Sequence, residues 1–141
     1  MASMSDYLEI EMRKHLFRTG SFTKPPALWI ALFTVAPSDA GGGTEVTKAG
    51  ATGYLRVQRD PLDANWSAPD GTGGVTKNVA AITFPAPTAD WGTVVAVGIY
   101  DSDDSGSNNL LFWNPLSANK TVNNGDAAPM FAADTLVVTF G

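Results

Sequence analysis

The sequence predicts an all-β domain, a jelly-roll or Greek-key β-sandwich of about seven to eight strands behind one N-terminal α-helix. Three observations point there. After Pro25–Pro26 the chain breaks into short apolar runs separated by Gly, Pro, Asn and Asp, which is the rhythm of strands and turns. Ala27–Phe33 and Val94–Ile99 are apolar on both alternating faces, as expected of central strands covered on both sides. Only residues 6–19 show helical spacing.

In that segment Leu8, Met12, Leu16 and Thr19 fall on one stripe, while Glu9, Arg13 and Lys14 lie away from it. Asp6 followed by Glu9 reads as a capping box, and Gly20 as the stop signal. The expected strands then run over Ala27–Val35, Gly53–Gln58, Val79–Phe84, Val94–Tyr100, Leu110–Trp113, Lys120–Asn123 and Thr135–Phe140. In the second of these, Tyr54, Arg56 and Gln58 alternate with Leu55 and Val57, which describes a strand with one face in water. Long connections separate them: 36–53 holds Gly41–Gly42–Gly43, 60–74 holds Trp66, and 101–109 is almost wholly polar. Connections of such length are uncommon unless they bind something or pack on a neighbour.

One core is all that 141 residues support, so residues 1–141 are read as a single domain, with a helical segment over 1–24 and the sandwich over 27–141. Charged residues are only 16% of the chain, below the quarter or so of an ordinary soluble protein, and this suggests surface buried against a partner. The formal net charge is −5, which argues against nucleic acid as a partner. Its distribution is uneven: Arg13, Lys14, Arg18 and Lys24 sit near the start, whereas from Asp60 onward the aspartates face only Lys77 and Lys120. The absence of cysteine excludes disulfides, thiolate metal sites and Cys nucleophiles. No apolar run approaches the ~20 residues of a membrane span, and the start lacks the pattern of a secretion signal, so a soluble chain without membrane contacts is expected.

Several constellations test for chemistry. Residues 101–106 place Asp101, Asp103 and Ser105 at the first, third and fifth positions of a calcium loop with Gly106 at the sixth, but Phe112 stands where the bidentate Glu belongs. A solvated hairpin turn is the expected reading. His15 is the single histidine, and it is expected to be half-buried beside the helix stripe. Asp60 with Asp63 and Asp103 with Asp104 supply carboxylate pairs of the kind glycoside hydrolysis uses, yet neighbouring loop aspartates are ordinarily turn formers. Gly41–Gly42–Gly43 lacks the Lys and Ser/Thr of a phosphate-binding loop. No catalytic residue, metal ligand or cofactor is therefore assigned, and no enzyme activity is expected. Trp29 and Trp113 read as core residues of strands. Trp66 and Trp91 border Pro- and Asp-containing loops and are candidates for an interface or a glycan platform.

Taken together, these residues resemble small virion proteins of tailed phages, the tail-fibre and decoration group. The likeness runs in order through Tyr7-Leu8-Glu9, His15-Leu16-Phe17-Arg18, Leu28 to Thr34, Ala36 to Val46, Gly53-Tyr54, Phe84-Pro85, Ala89-Asp90-Trp91-Gly92, Val97 to Asp101 and Leu110 to Trp113. Ala-Asp-Trp-Gly and Gly-Ile-Tyr-Asp are its most specific elements. Size, acidity and strand pattern are similar to the capsid cement proteins of such phages, for example on the Bordetella phage head, although 60–74 is a longer polar insertion than usual. The resemblance implies a structural protein made in the host cytoplasm and carried on the outer surface of the capsid. Its implied partners are the major capsid protein and further copies of itself as a dimer or trimer, and the shell would gain stability from many small contacts. A tail-fibre or receptor-binding module contacting host glycans is the alternative. The candidate interface residues are Leu8, Met12, Arg13, Leu16 and Arg18 in the N-terminal segment, with Trp66 and Trp91 in the loops; the helix stripe itself is expected to cover its own sandwich.

Overall fold

A computed structural model describes residues 2–48, 50–71, 73–105 and 108–140. Among these, the chain forms β1 (Ser3–Met4), α1 (Asp6–Phe17), β2 (Trp29–Val35), β3 (Thr44–Glu45), β4 (Val57–Gln58), β5 (Thr76–Lys77), β6 (Ile82–Thr83), β7 (Gly92–Tyr100), β8 (Leu110–Val122), β9 (Met130–Phe131) and β10 (Val137–Val138). The class is the expected one: antiparallel sheets with a single helix at the N-terminus. The dominant sheet runs β1-β8-β7-β2-β3, with β4 also paired to β2. Its long strands come from the doubly apolar runs. β2 and β7 pair from Trp29↔Tyr100 to Phe33↔Ala96, and neighbours distant in sequence, such as β2 with β7, require crossover connections.

The facing layer consists of two ribbons, β5 with β10 and β6 with β9, rather than a second broad sheet. Ile30, Leu32, Val97 and Ile99 of the main sheet pack there against Ile82, Phe84, Leu136 and Val138. On the opposite face Ala31, Phe33, Ala96, Tyr100 and Leu110 form a smaller cluster. Gly98 is required in it, because a Cβ there would lie 2.9 Å from the Phe33 ring and 3.0 Å from Leu110. A bulge adjusts the two faces. Leu116 to Asn119 of β8 stand opposite Val95 alone, between the pairs Val94↔Lys120 and Ala96↔Pro115. Val94 and Val97 consequently both serve the larger core.

Several expected boundaries change. Leu110–Trp113 and Lys120–Asn123 are parts of one strand, β8. Gly53–Gln58 keeps only Val57–Gln58 as a strand, and its first half is reversed: Tyr54 and Arg56 are buried and Leu55 is exposed, whereas Val57 packs on the core and Gln58 is exposed as expected. The cause is the outer edge of β2, where β3 and β4 pair with opposite ends and leave a gap between them. There the Tyr54 hydroxyl accepts a hydrogen bond from Leu32 N at 2.9 Å, satisfying a backbone donor that the sheet leaves unpaired. Gly41, Gly42 and Gly43 all have positive φ, and a Cβ on Gly43 would lie 2.7 Å from Val35 O, so this run is a tight turn that brings β3 back onto β2.

Candidate functional site

The helix begins one residue earlier than the capping signal suggested. Ser5, not Asp6, is the N-cap; its hydroxyl accepts from Leu8 N at 3.3 Å and donates to Leu110 O on β8. Asp6 N donates to Asp39 O at 2.9 Å. These bonds tie the first turn to the sheet, and Leu8 is the one buried residue of the helix. Of the candidate interface residues, Leu8 is thus packed within its own chain. Farther along, the expected stripe fails: Met12 is half-buried, Thr19 lies beyond the helix, and Leu16 is 66% exposed. Phe17, the last helical residue, is 80% exposed. His15 is exposed rather than half-buried, and its Nδ1 accepts from Phe22 N at 3.2 Å, which turns the chain back after the helix. Arg13 pairs with Glu9 and Lys14 with Glu11, each at 2.8 Å. The helix closes on Arg18, whose backbone N–H donates to Lys14 O, so Gly20 is not its stop.

The two loop tryptophans separate. Trp91 is core: it is 5% exposed, its Nε1 donates to Thr52 O at 2.8 Å, and its ring meets Tyr54 edge-on at 5.2 Å. The Ala-Asp-Trp-Gly element is thus a packing feature and offers no glycan platform. Trp66, by contrast, lines a surface groove of about 610 Å³ with Leu28, Leu62, Ile99, Phe112 and Phe140. The groove opens between the main sheet and the β5/β10 ribbon, and loop 60–70 forms one wall. Phe112 and Phe140 stack at 5.5 Å across part of it, Asp63 stands on the loop side, and Trp66 Nε1 is buried without a hydrogen-bond acceptor. Sequence reasoning reached Trp66 but missed Leu62 and Phe140, both more than half exposed; the available signal was a large apolar side chain in a polar or terminal segment. Trp29 and Trp113, expected as core, are half-buried, and Trp113 Nε1 donates to Asp39 Oδ1 at 2.8 Å.

An ionic network closes the gap along β2. The Arg56 guanidinium, with its side chain 2% exposed, donates to both carboxylate oxygens of Glu45 at 2.9 and 2.7 Å. It also donates to Ser102 O at 2.8 Å and Asn108 Oδ1 at 2.7 Å, and lies 3.8 Å from the centre of the Tyr100 ring. Burial pushes the Arg56 pKa down, but the Glu45 contacts outweigh it and the group is held more firmly protonated than usual. Tyr54 donates to Glu45 Oε1 at 2.9 Å, and burial, followed by the Glu45 charge, raises its hydroxyl far above the usual range.

One comparison decides the family: a phage protein family described as podophage GP4 fiber I protein gp80 matches residues 3–139. The chain belongs to that family. No curated protein matches it. This fibre-family member is accordingly a phage virion structural protein, which agrees with the group suggested by the motifs. Among its described residues, no helix is long and apolar enough to cross a membrane.

Of the loop carboxylates of this fibre-family chain, Asp103 and Asp104 are both engaged by neighbours. Asp103 Oδ1 accepts from Ser105 N at 2.9 Å, and hydrogen bonds from Ser105 hold Asp103 below the usual carboxylate range. Asp104 is lowered chiefly by its bond from Lys48, whose Nζ is 2.7 Å away. A general acid requires a raised pKa, the opposite direction. Asp101 accepts from Asn109 N and Nδ2, each at 2.8 Å, so the first oxygen donors of the calcium-like loop are taken up within the β7–β8 hairpin. Gly106 lies outside the described residues.

Proposed function

We propose that this chain is a non-catalytic structural module of the tail fibre, joined to other virion proteins through its exposed apolar surfaces. The single observation that carries this reading is the fibre-family match over residues 3–139. The surface chemistry supports it. The exposed helix end and the Trp66 groove are contact surfaces, while Asp103 and Asp104 are tied down by Ser105 and Lys48. Host glycan contact at Trp66 belongs to this reading, with the indole ring as the stacking surface.

Capsid decoration is the second reading, favoured by the resemblance to cement proteins and by the low charged fraction of 16%. In that case the partners are the major capsid protein and neighbouring copies. Gold labelling of intact particles with antibody against this chain separates the two. Label at the tail is the expected result; label across the head in hundreds of copies would replace the fibre reading with decoration, and particles free of the chain would remove both.

A further inference from the structure

We infer that the exposed end of α1 in one copy seats in the Trp66 groove of a second copy, so that the chain carries both halves of its own assembly contact. The inference goes beyond the proposed function and holds for either virion address, so particle labelling and self-association fail separately. The projecting half is Phe17 with Leu16, 80% and 66% exposed, and Ile10 two turns earlier on the Phe17 side at 46%. Apart from Leu8, no residue of this helix is buried in its own domain. The receiving half is the groove of about 610 Å³ between Leu62, Trp66, Phe112 and Phe140, spacious enough for an aromatic ring and an aliphatic side chain together.

Charge selects the occupant. Arg18 follows Phe17 directly, and its guanidinium makes no ion pair or hydrogen bond among the described residues. Asp63 on the groove wall likewise has no side-chain partner among them. Placing Phe17 in the groove brings a cation-bearing helix end against an acidic loop, which steers association and sets its register. The knob and the groove are different patches of one surface. Such a contact either closes reciprocally in a dimer or repeats head to tail into a ring or an open filament.

Sedimentation velocity over a concentration series tests this with the purified full chain. The wild type should associate into multiples of its 14.8 kDa mass. Phe17→Asp and Leu62→Asp, both at exposed positions, should each weaken association roughly 10- to 100-fold, the loss expected for one buried apolar side chain. An equimolar mixture of these two variants should form a dimer and nothing larger, since only one intact knob and one intact groove remain per pair. Arg18→Asp and Asp63→Arg should each weaken association, and the double variant should restore it. A wild type that stays monomeric, a mixture that stays monomeric or grows beyond a dimer, or a charge exchange without recovery would each overturn the inference.

Discussion

The outer edge of β2 and the Trp66 groove treat charge and apolar surface in opposite ways. At the edge a guanidinium is nearly sealed from solvent and has partners on both sides, Glu45 on one and Ser102 and Asn108 on the other. At the groove Leu62 and Phe140 remain more than half exposed, and Asp63 stands on the wall without a side-chain partner among the described residues. The edge is finished within the chain, whereas the groove leaves contacts unmade. A chain with only 16% charged residues thus uses some of its ions to complete the fold, while Asp63 and Arg18 lie beside Leu62 and Phe17, apolar side chains that water covers poorly.

The largest effect should come from breaking the finished edge. Arg56→Met removes the paired bonds to the Glu45 carboxylate, 17% exposed, and leaves it Tyr54 and the Lys48 ammonium at 3.7 Å, so it should cost about 3 kcal/mol in urea unfolding, the low end for a broken buried pair. Arg56→Lys should cost less but still register, because an ammonium cannot reproduce the paired bonds to Glu45. A loss below ~1 kcal/mol for Arg56→Met would show that the edge is not held by charge.

Next, Gly98→Ala lies between the two regions, in the middle of β7. Its new methyl group meets Phe33, which is 1% exposed and has little room to move, so about 1–3 kcal/mol should be lost on thermal unfolding. Acid should then distinguish the edge more subtly. Asp104 is held below its ordinary 3.8 by Lys48, so its contribution is fully present above that value and disappears as pH falls through the lower folded value. Its side chain is 48% exposed, which limits the effect to under ~1 kcal/mol. Melting curves of wild type and Asp104→Asn should therefore differ at pH 6 and converge near pH 2. The smallest stability effect belongs to the open surfaces: in the dilute, unassociated chain Phe17→Ser and Leu62→Ser should leave the unfolding free energy within about 0.5 kcal/mol. A larger loss would mean that these side chains already serve the isolated domain.

Much of the architecture was legible locally. The doubly apolar runs became β2 and β7, and Gly41–Gly42–Gly43 became a positive-φ turn. Strands of two residues, such as β1, β3 and β9, were illegible because a period of two needs more positions to be seen. Of the candidate surface, Trp66, Leu16 and Arg18 were visible as residues, but the groove was not. Leu28, Trp66, Phe112 and Phe140 come from four distant stretches, and nothing in any one stretch announces the others.

By itself the sequence determined the class, the order of the main elements and the family, since strand periodicity, turn chemistry and motifs are all properties of neighbouring residues. Tertiary structure decided which side of each pattern faces inward. Tyr54 and Arg56 are inside because Glu45 and Leu32 N are there to satisfy them, and Trp91 is inside because Thr52 O accepts its proton. Leu16 is outside because the cap bond and the buried Leu8 tie α1 to the sheet at its first turn, while its last turn projects away. Burial depends on what stands opposite a side chain, and a buried polar group is tolerated only where partners from elsewhere in the chain converge on it.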